Sequence, residues 1–534
     1  MPERRSCSHN EPCRHTPSPS PEELAGALRL PESYPHNPGR VDFLQTQMSL
    51  LFLAGDLVYK VKKPINLGYL DYSTFEDRRY FCEQEVHLNR RLCPDAYLGV
   101  VPITRDSQGY LHVEGEGQAV EHAVKMRRLP PERMLDRLLH EGTATSAMMQ
   151  AIASTLAAFH KNAATSPEVS AFGSAEAIRI NTDENFEQTM SNVGTTITQA
   201  NHVLLRDYTD HFLSTQSTLL ARRVQEARIR DCHGDLHAAH VCMTNGICIY
   251  DCIEFNDRFR YGDVISEVAF LAMDLDRLRR RDLSRAFADA YVSAAEDAGA
   301  LELMSFYKCY RAVVRGKVEG FKLSDPMIPD DDRRKARWLA RTYFQLARSY
   351  ATGHGIMVIM SGLTGSGKST VAERLGSLLA GTVVSSDVVR KQLAGLTTAT
   401  HRYEPFGQGI YTPEWTRRTY DEMLRQAQPV LASGGCVILD ASFLRSRERT
   451  LAIGTASRIG ARAVLVECTA PHEVLLQRLT ERQGAATASD GRPEILEAQI
   501  PCREEVVEFS EDDHIRIDAT QATNAILEDI WTRL

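Results

Sequence analysis

The chain has 534 residues, 43% hydrophobic and 25% charged, with a net charge of −8. At about 100–200 residues per domain this suffices for two to four domains with ordinary globular cores. The acidic balance excludes an overall basic field for DNA or an anionic membrane, leaving only a local basic groove, and no run of about 18 apolar residues predicts a membrane-spanning helix.

The start of the chain is polar and Pro-rich, without the apolar stretch of a signal peptide. Residues 1–38, with SPSPEE and PESYPHNPG, read as a disordered tail. Cys7, His9, Cys13 and His15 lie there, but their spacing matches no zinc module, so a solvated tail is the expectation. The 12 cysteines form no disulfide-like framework, which predicts reduced thiols and a cytoplasmic protein.

A first domain is expected over 39–350. LLFLAGDLVYKVKK reads as two strands around a Gly-Asp turn. Helical periodicity runs over 74–92 through Phe75, Phe81, Val86, Leu88 and Leu92, and LGVVPI and YLHVEG read as further strands. Residues 131–230 and 264–350 read as mainly helical. Basic patches at 277–281 and 333–337 read as solvated helix faces.

Between the helical blocks lies HGDLHAAHV (233–241), followed by the apolar run GICIYD that ends at Asp251. Two acids separated by a short β-hairpin can meet at one site. Asp235 would then take the proton of an acceptor hydroxyl and Asp251 would ligate Mg²⁺, the division of labour of a protein-kinase-like centre. Cys232, Cys242, Cys248 and Cys252 crowd this region and read as buried small side chains rather than a metal cluster.

ATGHG (351–355) reads as a linker. Beyond it, in 356–534, IMVIMS, TVVSSD, CVILD, AVLVEC and HIRID alternate with helical text, the pattern of a doubly wound α/β sheet. GLTGSGKST (362–370) fits the Walker A pattern at Gly362, Gly367, Lys368 and Ser369, between a predicted strand and a predicted helix. With Gly365 and Thr370 completing the loop, glycines bring backbone N–H groups to phosphates, Lys368 reaches the β- and γ-phosphates and the Ser369 hydroxyl ligates Mg²⁺. Asp387, in SSDVVRK, is placed to receive a proton from an acceptor, and Arg390, one turn on, to hold an anionic acceptor. Asp440 ends CVILD, where an acid supports Mg²⁺ through water; a helix N-cap is its bland alternative. Arg478 and Arg482 share a helix face and can close over a transferring phosphoryl group.

Residues 356–534 resemble the small P-loop kinases grouped with polynucleotide kinase, gluconate kinase, chloramphenicol phosphotransferase and zeta toxins. Asp387 and Arg390 match that group's D-x-x-R, and Arg478 and Arg482 its lid arginines. The preceding part resembles the aminoglycoside phosphotransferase and choline kinase family, and within it the bacterial proteins that fuse such a domain to a P-loop domain; that resemblance covers nearly all of 40–534. It implies that Lys60 in LVYKVKK, or Lys62 on the same strand face, is the strand lysine that pairs with phosphates, that Glu85 is its partner, and that AVKMRRLP (123–130) is the hinge. IEFNDRFRYGDVISEVAFLAMDLD (253–276) looks like the stretch after the metal-binding acid. Two departures stand out: no G-x-G-x-x-G loop precedes Lys60, and His240 occupies the place of the second metal-binding Asn. Either the site works with one metal on Asp251, helped by Glu254, or it is catalytically weak.

The resemblance thus implies an α/β and α+β protein, a two-lobed protein-kinase-like domain before a three-layer P-loop domain. It implies an ATP- and Mg²⁺-dependent kinase, with one or two working sites, acting on a hydroxyl of a small molecule or of a nucleic-acid end, the latter disfavoured by the acidic charge. The alternative is an ATP-binding regulatory switch with a degenerate first domain.

Overall fold

The structure, a computed structural model, describes residues 18–244, 246–326, 328–397, 407–481 and 492–534. The chain forms two compact units. One takes the residues up to Phe172, Glu226–Glu267 and Ser293–Ala295; the other takes Gly173–Gln225, Val268–Val292 and Glu296–Leu534. This division does not fall at 351–355.

In the first unit, strands β1 (Val41–Gln45), β2 (Ser49–Ala54), β3 (Leu57–Lys62), β4 (Tyr97–Arg105), β5 (Leu111–Val113) and β6 (Gln118–Arg127) form an antiparallel sheet in the order β1-β2-β3-β6-β4-β5. The β2–β3 turn passes through Gly55, whose φ of 65° is the left-handed value that glycine adopts without steric cost. Alternation buries Phe52, Tyr59, Val61, Ile103 and Ala123 in one core. The helix Phe75–Asn89 starts where Thr74 accepts a hydrogen bond from the Asp77 N–H at 3.0 Å.

The same core corrects the expectation of a disordered tail for 18–38. Ser20 caps a helix Pro21–Ala27 that begins on proline, and Leu24, Leu28 and Tyr34 are buried beside Phe52 and Tyr59. Composition suggested disorder, but the i, i+4 spacing of the two leucines supplies an apolar face. Cys7, His9, Cys13 and His15 lie outside the described residues.

Two short ladders complete this unit. β7 (Ile229–Asp231) pairs with β10 (Tyr261–Asp263), and β8 (Val241–Met243) pairs with β9 (Ile247–Ile249) as the expected hairpin. Cys93 and Cys248 are joined by a disulfide, with Cα atoms 4.6 Å apart, so the expectation of reduced thiols fails for this pair. Their separation of 155 residues hides the pairing from the sequence.

In the second unit, β11 (Ile356–Ser361), β12 (Thr382–Ser385), β13 (Cys436–Asp440), β14 (Arg462–Thr469) and β15 (His514–Asp518) form a parallel sheet in the order β12-β13-β11-β14-β15. All six residues of β11 are buried, as the near-continuous apolar run of a strand covered on both faces requires. Helices preceding 351 share this unit's cores. Ala380 packs with Phe186, Leu205, Phe270 and Phe344, and Arg341 lies 3.7 Å over the Trp531 ring while pairing with Glu528 at 2.8 Å. Among the described residues, no helix is long and apolar enough to cross a membrane.

Candidate functional site

In the first unit the period of β3 puts Lys60 and Lys62 on one face, and both meet Glu85 of the helix Phe75–Asn89. Lys60 Nζ lies 2.9 Å from Glu85 Oε1 and 2.6 Å from Asp251 Oδ1. Lys62 Nζ lies 2.7 Å from Glu85 Oε2 and also pairs with Glu254, which accepts a hydrogen bond from the Tyr72 hydroxyl. Burial works against charge on Glu85, but the two ammonium groups hold its carboxyl below the usual range. At Asp251 burial is likewise overcome by Lys60, which keeps the carboxyl well below its ordinary value. Glu254, expected to assist the metal acid, is instead committed to Lys62 and Tyr72.

The loop before β8 is held from below. The N–H groups of His233 and Gly234 donate to Glu267 Oε1 at 2.8 and 2.7 Å, and His160 Nε2 lies 2.8 Å from Glu267 Oε2. Gly234 has φ 91°, and a Cβ there would stand 3.0 Å from the Phe259 carbonyl oxygen, so the close turn needs glycine. Asp251, two residues past β9, has φ 63°, a conformation costing roughly 1–2 kcal/mol for a residue with a Cβ. Its N–H donates to the Tyr97 hydroxyl at 3.2 Å.

Asp235, His240 and Asp251 come together as the sequence suggests. His240 Nδ1 lies 3.6 Å from Asp235 Oδ2, and His240 Nε2 lies 3.6 Å from Asp251 Oδ2. His240 Nδ1 also lies 2.9 Å from the Asp235 carbonyl oxygen, which places the ring proton on Nδ1. Burial and the neighbouring His237 push the His240 ring down to about 4, so it is neutral near pH 7.

In the second unit the phosphate-loop sequence becomes a turn between β11 and the helix Lys368–Leu378. Gly362, Gly365 and Gly367 have φ values of 138°, 81° and 83°. A Cβ on Gly362 would stand 2.4 Å from the Cys468 carbonyl oxygen, a clash that backbone cannot relieve cheaply. Lys368 Nζ donates to the Leu363 carbonyl at 2.8 Å, and the Thr364 N–H donates to Gln499 Oε1 at 2.8 Å. Ser369 and Thr370 are exposed in the first turn of the helix.

Sheet order brings the expected acids to this loop. In register, Asp440 stands beside Met360 of β11 and Ser385 of β12, so the carboxyl ends of three adjacent strands share one edge. Burial raises the Asp440 carboxyl, while a hydrogen bond from the Ser369 hydroxyl and the Lys368 charge lower it. Asp387 lies in the first turn of the helix Ser386–Leu393, two residues past the end of β12, with Arg390 Nη1 3.9 Å from its Oδ1. The Arg390 guanidinium lies 4.7 Å over the Tyr411 ring. Arg478 donates to the Ala519 carbonyl at 2.7 Å, and its Nη1 would stand 3.8 Å from a Cβ on Gly367. Arg482 lies outside the described residues.

Sequence reading missed Glu267 and Gln499. Glu267 sits 34 residues beyond His233, inside the 253–276 stretch but with no role assigned to it there, and Gln499 is one amide in a helix Pro493–Gln499 far from the loop in sequence.

Against known proteins, residues 81–306 match the family model of a phosphotransferase enzyme family, and residues 357–505 match that of an AAA domain. An uncharacterized protein of Mycobacterium tuberculosis is 32% identical over 468 residues, which span 86% of this chain and 89% of its own length. A shikimate kinase of Bradyrhizobium diazoefficiens is 28% identical over 137 residues, 26% of this chain and 59% of its own length. A solved choline/ethanolamine kinase family protein of Mesorhizobium loti covers 62% of this chain and 99% of its own at 14% identity, with a TM-score of 0.35. The long match to the mycobacterial protein runs through both matched domains, and the chain belongs to the bacterial family that joins a phosphotransferase-family domain to a P-loop kinase domain.

Proposed function

We propose that the P-loop domain transfers the γ-phosphate of ATP to a hydroxyl group of a small molecule or of a nucleic-acid end, the small molecule being favoured by the net charge of −8. The observation that carries this reading is the meeting of the 362–370 loop with two acids at the carboxyl edge of adjacent strands: Asp440, at the end of β13 beside the end of β11, and Asp387, just past β12 and beside Arg390. A nucleotide-binding switch has no use for an acid on the acceptor side. The phosphates would lie on the backbone N–H groups around Gly365 and Gly367, with Lys368 and Thr370 alongside, while Gly362, whose N–H donates to the Ser442 carbonyl at 3.1 Å, anchors the start of the loop. Ser369 and, through water, Asp440 would hold Mg²⁺, which supplies charge neutralisation when bound. Asp387 takes the acceptor's proton, Arg390 steadies an anionic acceptor, and Arg478 and Arg482 screen the transferring group. The reaction is set in the cytoplasm, where ATP is abundant.

The first domain reads as a second phosphotransferase, which makes the protein bifunctional. Lys60 bridging Glu85 and Asp251 favours this over a purely regulatory role. Asp235 would be its proton acceptor and Asp251 its metal-binding acid.

The test is transfer of labelled γ-phosphate from ATP into a fractionated cell extract by wild type, Lys368→Ala and Asp235→Asn. The labelled acceptor of the P-loop domain disappears with Lys368→Ala and persists with Asp235→Asn. Turnover that survives Lys368→Ala in a chain already carrying Asp235→Asn would overturn the assignment. Release of free phosphate alone by all three proteins would favour the regulatory switch.

A further inference from the structure

The family expectation for the first domain is a second Mg²⁺ held by an asparagine oxygen, and the residues present do not fit it. Position 240 is an imidazole, and a second imidazole, His237, lies with its ring centroid 3.8 Å from that of His240. Mg²⁺ prefers oxygen donors in near-ideal octahedral geometry, whereas imidazole suits zinc and its transition-metal neighbours.

We propose that this site binds one borderline divalent transition-metal ion, of the zinc, cobalt or nickel class, through His237, His240, Asp251 and Asp235. Asp235, His237 and His240 are already gathered for it, and Asp251 joins them through His240. His237 Nε2 lies 3.6 Å from Asp235 Oδ2, and His240 Nε2 lies 3.6 Å from Asp251 Oδ2. The donor atoms of Asp235, His237 and His240 all fall within 4.8 Å of one another. With metal–donor bonds of about 2.0–2.2 Å, the edge of a tetrahedral site is about 3.4 Å, so small side-chain adjustments close the set.

Two further features fit a metal centre. The bond from His240 Nδ1–H to the Asp235 carbonyl leaves the lone pair on Nε2, the nitrogen that faces Asp251, and this is the outer-shell contact that orients metal-binding histidines. Lys60 engages Asp251 through Oδ1, on the carboxylate oxygen other than the one facing His240. The four side chains keep between 12% and 40% of their surface exposed, so an ion can reach them from solvent. The inference stands on this donor set and not on phosphate transfer by the first domain. With the ion bound, Asp235 is a ligand, and any proton it accepts must wait for its release from the metal.

The experiment titrates metal-stripped full-length protein with Co²⁺ and follows the visible absorption of the ion, then competes with Zn²⁺ and with a large excess of Mg²⁺. Cys7→Ser and Cys13→Ser are present throughout to remove tail thiols. One equivalent of Co²⁺ is expected, with an absorption free of sulfur-to-metal charge transfer, displaced by Zn²⁺ and not by Mg²⁺. His240→Asn and His237→Ala should each weaken binding by at least about 10–100-fold, the scale of loss from even an outer-shell change. ATP binding that depends on Lys368 reports that each variant is folded, and its absence in wild type would count against the P-loop reading alone. Unchanged Co²⁺ spectra and affinity in both folded variants, a thiolate charge-transfer band, or displacement by Mg²⁺ would each overturn the metal site.

Discussion

The phosphate loop and the lysine cluster solve the problem of concentrating positive charge in different ways. At 362–370, three left-handed glycines turn the backbone itself toward one edge of a parallel sheet, and one lysine supplements it. At β3, two lysines carry the charge, and Glu85, Asp251 and Glu254 neutralise it in the absence of any ligand. A backbone nest needs no counter-ion and little burial. Buried ammonium groups need partners, because an unpaired charge in the interior is expensive. The first device is therefore local in sequence, and the second is assembled from residues nearly two hundred positions apart.

The largest effect should come from the acid beside the loop. Asp387→Asn should cut phosphoryl transfer by about 10²–10⁴-fold while ATP affinity, measured by calorimetry, stays nearly unchanged. A large loss of ATP affinity instead would make Asp387 part of the nucleotide cradle and erase the contrast between a backbone site and a side-chain site. In the lysine cluster the comparable change is structural. Glu85→Ala leaves Lys60 and Lys62 short of their shared partner and should cost about 3–5 kcal/mol in denaturant unfolding. A loss near zero would mean that Asp251 and Glu254 suffice.

The third prediction concerns acid. Burial alone would raise the Glu267 carboxyl, but bonds from His160 and from the His233 and Gly234 N–H groups bring it from 4.5 down to about 2. The unfolded chain therefore takes up the proton first. Stability from this group is fully present above about pH 4.5 and is lost as pH falls toward 2, about 3 kcal/mol in all. Unfolding midpoints of wild type and Glu267→Gln across that window should converge at low pH; parallel curves would show that the clamp does not titrate. The smallest effect is expected at the loop. Gln499→Ala removes the bond to the Thr364 N–H, worth about 0.5–1.5 kcal/mol, and should shift ATP affinity by less than about tenfold.

These contrasts also explain what could be read in advance. The Walker A loop was legible because nine consecutive residues determine its shape, and Asp440 because strand ends in a parallel sheet share an edge. The pairing of Lys60 with Glu85 was legible only through the family resemblance. Glu267 was not legible, since its role depends on which backbone N–H groups a distant loop presents, and the Cys93–Cys248 link likewise depends on tertiary approach. The helix Pro21–Ala27 could have been found: Ser20 as cap, proline at the start and Leu24 with Leu28 carry its signal, masked by the surrounding Pro- and Ser-rich text.

The placement of β11 has one more consequence. It is the middle strand, bonded to β13 on one side and β14 on the other, with every residue buried. Its amide hydrogens should be among the last of the second unit to exchange with deuterated water, escaping only when the sheet opens as a whole, while those of the edge strands β12 and β15 exchange through smaller openings. The loop that follows is thus tethered at its start to the slowest-breathing element of its domain, and its shape persists through local fluctuations that already loosen the sheet's rim.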